Sequence, residues 1–339
     1  MRLYCPLYFA LAAFSLNAVA APVHEQHATR ESAWTQIDSG AGLAARHESS
    51  TALVGETLYV MGGRGDRALQ AMDLKTRQWK TLAAPPIEIH HAQAIAHDGL
   101  IYVVAGLTGP FPEESPLDHV FVYDPKTDAW SKGAEVPKAR RRGAAGVAVI
   151  DGLVYIIGGN TRGHNSGYVP WVDSLDLATG RWTVLADAPN ARDHFHAAVV
   201  DGRIYAAGGR LSAADAGAPL SRTIAEVDVF DPSRGSWSTL SSDLPSPRAG
   251  TTAVQLDGEL VVLGGESDRQ VPAHAEVEAY SPRSRQWRRL PDMPGGRHGA
   301  QAVERDGDII VAAGSANRGG GPELGEVVCF SAAKGCRWE

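Results

Sequence analysis

Cysteine is scarce in this chain: 339 residues hold three. Cys5 lies in an apolar N-terminal run, which leaves Cys329 and Cys336 in the rest of the sequence. Two close cysteines with no histidine beside them are too few ligands for a metal centre, and a disulfide is expected instead. Basic charge is also short. Beyond Arg2 and the apolar run, 31 Lys and Arg stand against 39 Asp and Glu, a balance of about −8. That balance argues against nucleic acid or an anionic membrane surface as partner. Long apolar runs are missing too. Leu3–Leu16 is too short to span a bilayer, and nothing later could do so. With Arg2 before it and Ala18-Val19-Ala20 after it, this run reads as a signal peptide over residues 1–20. A flexible segment over 21–32 and one domain over 33–339 are then expected. The protein is expected in the periplasm or outside the cell, monomeric and with no membrane insertion after cleavage. There is no P-loop and no serine-hydrolase motif; Gly319-Gly320-Gly321 has no strand–helix context.

What the chain does have is a repeat. Six apolar strands end at Gly62-Gly63, Ala105-Gly106, Gly158-Gly159, Gly208-Gly209, Gly264-Gly265 and Ala313-Gly314. About 20 residues after each comes a tryptophan: Trp79, Trp130, Trp182, Trp237, Trp287 and Trp338. A period of about 50 residues marks a propeller of repeated sheets. In the third unit, strand a (144–150) turns at Asp151-Gly152 into strand b (Leu153–Ile157), which stops at the glycine pair. A variable loop leads to strand c (172–177), and a turn leads to strand d from Trp182. The first hairpin turn recurs at Asp98-Gly99, Asp201-Gly202, Asp257-Gly258 and Asp306-Gly307, with Gly55-Glu56 as a variant. The fold expected is all-β: a six-bladed propeller with four antiparallel strands per blade. Trp34, in Ala33-Trp34-Thr35-Gln36-Ile37, reads as a strand d ahead of the first blade. Residues 33–37 are therefore expected to complete blade six and close the ring. Trp338 competes for that slot, but its segment is too short.

Six glycine pairs in register, each with an aromatic in strand c and a following tryptophan, resemble the kelch-repeat family over residues 33–339. Blades two and six depart from the pattern, with Ala-Gly for Gly-Gly. More distantly, the chain is similar to the sialic acid mutarotase and galactose oxidase propellers. The resemblance implies ligand binding by arginines at the start of strand a.

The variable b–c loops and d–a connections share one face, where binding residues are expected. Ten positions before the second residue of each a–b turn stand Arg46, Ile89, Arg142, Arg192, Arg248 and Arg297. Next come His47, His90, Gly143, Asp193, Ala249 and His298. Arginine forks suit carboxylate, phosphate or sulfate. A ligand-binding mouth is expected from Arg46, His47, His90, Arg142, Arg192, His194, Arg248, Arg297 and His298, with Trp171 in the third loop for sugar stacking. The competing role for the arginines is structural, pairing with Glu226, Glu276 and Glu326 at the start of strand c. His194 and His196 alternate along a strand and could form a metal pair, but no third ligand has matching spacing; no metal or cofactor is expected.

The reading taken is an exported propeller that binds an anionic small molecule, a glycan or an acidic protein segment, with the question of an enzyme left open. The alternative is a sugar mutarotase or epimerase of the sialic acid mutarotase type. Its acid–base groups would come from Glu48, Asp193, His194 and His196, with His47 in reach. The long inserts that this resemblance implies are absent. A second alternative is a protein-interaction propeller. Copper-radical oxidation fits poorly, because both remaining cysteines lie at the C-terminus.

Overall fold

A computed structural model of the chain describes residues 1–2, 34–37, 42–332, 335–336 and 338. The expected signal peptide and flexible segment lie outside the described residues, except for Met1 and Arg2. No described helix is long and apolar enough to cross a membrane.

Six four-stranded antiparallel sheets follow one another along the chain. Blade 1 runs Ser49–Val54, Thr57–Gly62, Leu69–Asp73 and Trp79–Leu82 as strands a to d. Blade 2 uses Gln93–His97, Leu100–Val104, His119–Asp124 and Ala129–Glu135. Blade 3 uses Gly146–Ile150, Leu153–Ile157, Val172–Asp176 and Trp182–Val184. Blades 4 and 5 begin at Ala197–Val200 and Thr252–Leu256 and end at Ser236–Thr239 and Gln286–Leu290. Blade 6 takes Ala302–Arg305, Asp308–Ala312 and Val327–Ser331 from the end of the chain. Its fourth strand is Trp34–Ile37, antiparallel to strand c with Trp34 opposite Phe330.

The strand-d tryptophans show why the N-terminal strand fits there. Trp130, Trp237 and Trp287 each pack on the strand-c aromatic opposite, at 5.2, 5.0 and 5.3 Å. Each also donates from Nε1 to a carbonyl of the preceding blade: Ala83, Ala186 and Ser242. Trp34 repeats both contacts, with Phe330 at 5.4 Å and the Pro291 carbonyl at 2.8 Å. Trp338 instead tucks into the cluster between blades 6 and 1 and donates to Asp308. Cys329 and Cys336 are joined by a disulfide, which ties the tail to strand c of blade 6.

Burial lies between blades. Six apolar clusters each draw on two neighbouring blades, such as Ala52, Tyr59 and Met61 with Ala94, Ile101 and Phe121. The glycine pairs allow this closeness. A Cβ on Gly62, Gly158 or Gly264 would lie 2.4 Å from a carbonyl oxygen of the next blade. The second glycine donates its N–H to that carbonyl, as Gly159 does to Arg192 at 2.8 Å and Gly314 to Arg46 at 2.8 Å.

Candidate functional site

One residue per blade, just ahead of strand a, sits in the left-handed region: Glu48, His91, Ala144, His194, Gly250 and Gly299, with φ between 52° and 61°. Their backbones form a ring around the axis. His91 N donates to Glu48 O, Ala144 N to His91 O, His194 N to Ala144 O, Gly250 N to His194 O and Gly299 N to Gly250 O. Ser49 N closes it on Gly299 O. The ring pinches the axis to a void of about 20 Å³. On the strand-a side the channel widens to about 310 Å³. On the loop face a cavity of about 410 Å³ opens, lined among others by Glu48, Arg64, His164, Arg210, Glu266 and His298.

The strand-a arginines do not present their guanidinium groups to that cavity, which corrects the reading of them as a basic mouth. Arg46, Arg142, Arg192, Arg248 and Arg297 are at most 4% exposed. Each donates to the carbonyl 16 residues on, where strand b ends: Gly62, Gly158, Gly208, Gly264 and Ala313. Three of them also pair with an acidic residue on strand c of the same blade. Arg142 pairs with Asp173 at 2.7 Å, Arg192 with Asp228 at 2.9 Å and Arg248 with Glu278 at 2.5 Å. The expected partners Glu226 and Glu276 contribute only their carbonyls; Glu326 alone meets its arginine through the carboxylate, at 3.6 Å from Arg297. Burial pulls Arg142 down to about 10 despite Asp173, so it stays charged at neutral pH. Trp171 is not a free stacking platform, because Arg140 lies over its ring at 4.4 Å.

Other cations reach the cavity. Arg64 and Arg210 directly follow glycine pairs, and Glu266 holds the same register in blade 5. Arg210 Nη1 donates to Glu266 at 2.6 Å, while its buried Nη2 has no partner. Arg64 donates to Glu114 at 2.7 Å. His47 meets Glu323 at 2.8 Å. His298 lies between two carboxylates, 3.5 Å from Glu48 and 3.6 Å from Glu266. Burial alone would depress the His298 imidazole, but Glu266 and Glu48 hold it above its ordinary value. Glu48 is held well below the carboxylate range: burial opposes this, and His298 beside it outweighs that cost. Glu266 sits at about 2, lowered against burial by His298 and Arg210.

Three further imidazoles converge. His91, His164 and His194 come from blades 2, 3 and 4, and their nearest nitrogens all lie within 4.8 Å of one another. Burial pushes the His91 and His194 imidazoles well below their usual value. Burial also raises the Asp193 carboxyl, opposed by Arg210 and by two bonds from Ser212. His90 is an inner residue, not a mouth residue; its Nε2 donates to Gly109 O and its Nδ1 meets His91. The His194–His196 pair, weighed from the sequence and set aside, is split. The positive φ at His194 breaks strand alternation, and His196 turns to Thr252, 3.2 Å away.

The sequence reading passed over Arg64, Arg210, Glu266, Glu114 and Phe111, which also lines the cavity, and it did not place His164 at the mouth. The position after each glycine pair would have found the first three; in blades 2 to 6 it bridges to the residue ahead of the ring, as Arg210 does to Asp193. No local pattern marks Glu114, Phe111 or His164.

Fold and site together define a six-bladed propeller whose loop-face mouth is lined with acid–base groups. The chain belongs to the kelch-repeat family. The KLHDC2/KLHL20/DRC7 Kelch-repeats domain matches residues 25–209, more than half of the chain, and the Kelch motif matches 191–243 and 247–294. Kelch-like protein terF of Aspergillus terreus is 29% identical over 265 residues, covering 71% of this chain and 55% of that protein. Alpha-scruin of Limulus polyphemus is 28% identical over 69% of this chain and 25% of its own length. Human Kelch-like protein 34 is 28% identical over 75% and 38%. This chain thus spans about half or less of these relatives. The solved structure of YjhT superimposes with a TM-score of 0.73 over 86% of this chain and 97% of that one. At 17% identity, that likeness is one of fold.

Proposed function

We propose that the mouth is the active site of an isomerase of the mutarotase or epimerase kind, acting on a polar, sugar-sized substrate. The observation that carries this is Glu48 and His298, 3.5 Å apart and both lining one cavity of about 410 Å³. That volume suits a small ligand. In ring opening, the Glu48 carboxylate takes the proton of the anomeric hydroxyl. The His298 imidazolium gives a proton to the ring oxygen as the C–O bond breaks and a carbonyl forms. Closure on the other face returns both protons. Arg64 and the unpartnered Nη2 of Arg210 favour a substrate with a carboxylate or several hydroxyls. That spare donor also supports a second reading, an anion-binding mouth without turnover. We take the protein to be exported, on its apolar N-terminal run and its disulfide.

The test is anomer interconversion of neutral and acidic sugars, followed by NMR from a single starting anomer. Wild type is expected to exceed the buffer rate. Glu48→Gln and His298→Gln are each expected to lower that excess by about 10²–10⁴-fold. Tight sugar binding with no rate above buffer would leave the binding reading standing and end the isomerase.

A further inference from the structure

We infer that His91, His164 and His194 form a three-nitrogen site for a divalent transition-metal ion at the floor of the mouth. This does not rest on the isomerase reading; it concerns what the three rings hold. The argument is one of proton accounting. His194 Nδ1 lies 2.5 Å from Asp193 Oδ1. Asp193 already accepts from Ser212 N and Ser212 Oγ, so it faces the ring as an acceptor too. His164 Nδ1 lies 2.8 Å from Glu114 Oε1, and Glu114 also accepts from Arg64 and from the His164 backbone N–H. His90 donates through Nε2 to Gly109 O, which leaves its Nδ1 to accept from His91 Nδ1 at 2.6 Å. These neighbours favour the Nδ1 proton on His91 and His194, and the Glu114 carboxylate stands on the Nδ1 side of the His164 ring.

Nε2 of His91 and of His194 is then a bare lone pair. His164 Nε2 and His194 Nε2 face each other at 3.0 Å. His91 Nε2 finds no donor and lies 3.2 Å from Glu48 Oε2. One ligand nitrogen from each ring lies within 4.8 Å of the others, with the Glu48 carboxylate beside His91. A cation resolves this. Metal–nitrogen bonds of about 2.0–2.1 Å at tetrahedral angles set ligand nitrogens about 3.3 Å apart, close to the spacing of the facing pair. The rings meet edge to face, with centroids 4.5 to 5.1 Å apart. The carboxylates behind His164 and His194 and the imidazole behind His91 are the kind of outer partners that orient metal-bound histidines.

The backbone adds an independent observation. His91 and His194 occupy left-handed positions where blades 5 and 6 place glycine. A β-carbon there is strained, and side chains kept at such positions point to a task. Neutral imidazoles select zinc, cobalt, nickel or copper over magnesium or calcium. Glu48 stands beside the fourth position and, like His164, lines the cavity, so an oxygen ligand entering the mouth could reach the ion.

The test uses untagged full-length protein stripped with chelator and titrated with Zn²⁺ and Co²⁺. One equivalent is expected to bind, with a visible Co²⁺ spectrum of tetrahedral form. His164→Gln, on a loop, and His194→Ala are expected to abolish that spectrum, while His196→Ala leaves it intact. Asp193→Asn is expected to weaken Zn²⁺ binding by about 10–100-fold. Circular dichroism checks that each variant is folded. Failure of folded wild type to bind one equivalent of Zn²⁺, Co²⁺, Ni²⁺ or Cu²⁺ would overturn the site.

Discussion

Replacing Arg192 with alanine separates a structural pin from a ligand contact. The guanidinium is fully buried, and it bonds Gly208 O at 2.9 Å, Glu226 O at 3.0 Å and Asp228 at 2.9 Å. It joins the ends of strands b and c within blade 4. Removing one partner of a buried ion pair costs about 3–5 kcal/mol, because the other charge is stranded. Here Asp228 keeps Asn190 and Thr239 as donors, which favours the lower part of that range. Unfolding entropy of about 2.1 cal/mol/K per residue over roughly 300 residues gives about 0.6 kcal/mol per degree. A loss of about 3–4 kcal/mol is thus a fall of about 5–7 °C in Tm. Differential scanning calorimetry reads this directly. Adding Asp228→Asn should recover part of the loss, since the stranded charge is removed. An unchanged Tm for Arg192→Ala, together with lost ligand binding, would refute the pin and restore the arginine mouth.

Two further outcomes follow from the fold. Asp73, Asp124, Asp176 and Asp231 accept backbone or hydroxyl hydrogen bonds in the c–d turns, and these bonds lower their pKa values. A depressed carboxylate stabilises the fold above its unfolded value near 3.9 and loses that contribution as pH falls through the folded value. Urea midpoints measured from pH 5 to pH 2 should therefore fall more steeply in wild type than in the fourfold Asp→Asn variant; parallel curves would contradict the turn bonds. At the glycine pair, Gly264→Ala places a Cβ 2.4 Å from Arg297 O at φ +65°. It should destabilise by more than about 1–3 kcal/mol, because a clash with the next blade adds to backbone strain. Gly258→Ala, also at positive φ but with nothing within 4 Å, should cost less. Equal chemical-denaturation midpoints for the two would rule out the blade-to-blade explanation.

Blade number, the Asp-Gly hairpins and closure by Trp34–Ile37 could all be read from the sequence. Each is set by near neighbours in the chain or by a repeat that prints the same local pattern six times. The register of the arginines was legible as well, but not their direction. Whether a guanidinium points into the mouth or back to the end of strand b depends on which carbonyls and carboxylates lie 16 to 36 residues away in space. The site itself belonged to the tertiary structure. His91, His164 and His194 come from three blades, and Glu48 meets His298 only because the ring joins its two ends. At Glu48, His91 and His194 the backbone turns left-handed, so strand alternation gives the wrong face for their side chains. Periodicity fixes what repeats; a site made of one unlike residue from each of several blades is fixed only when the blades stand around a common axis.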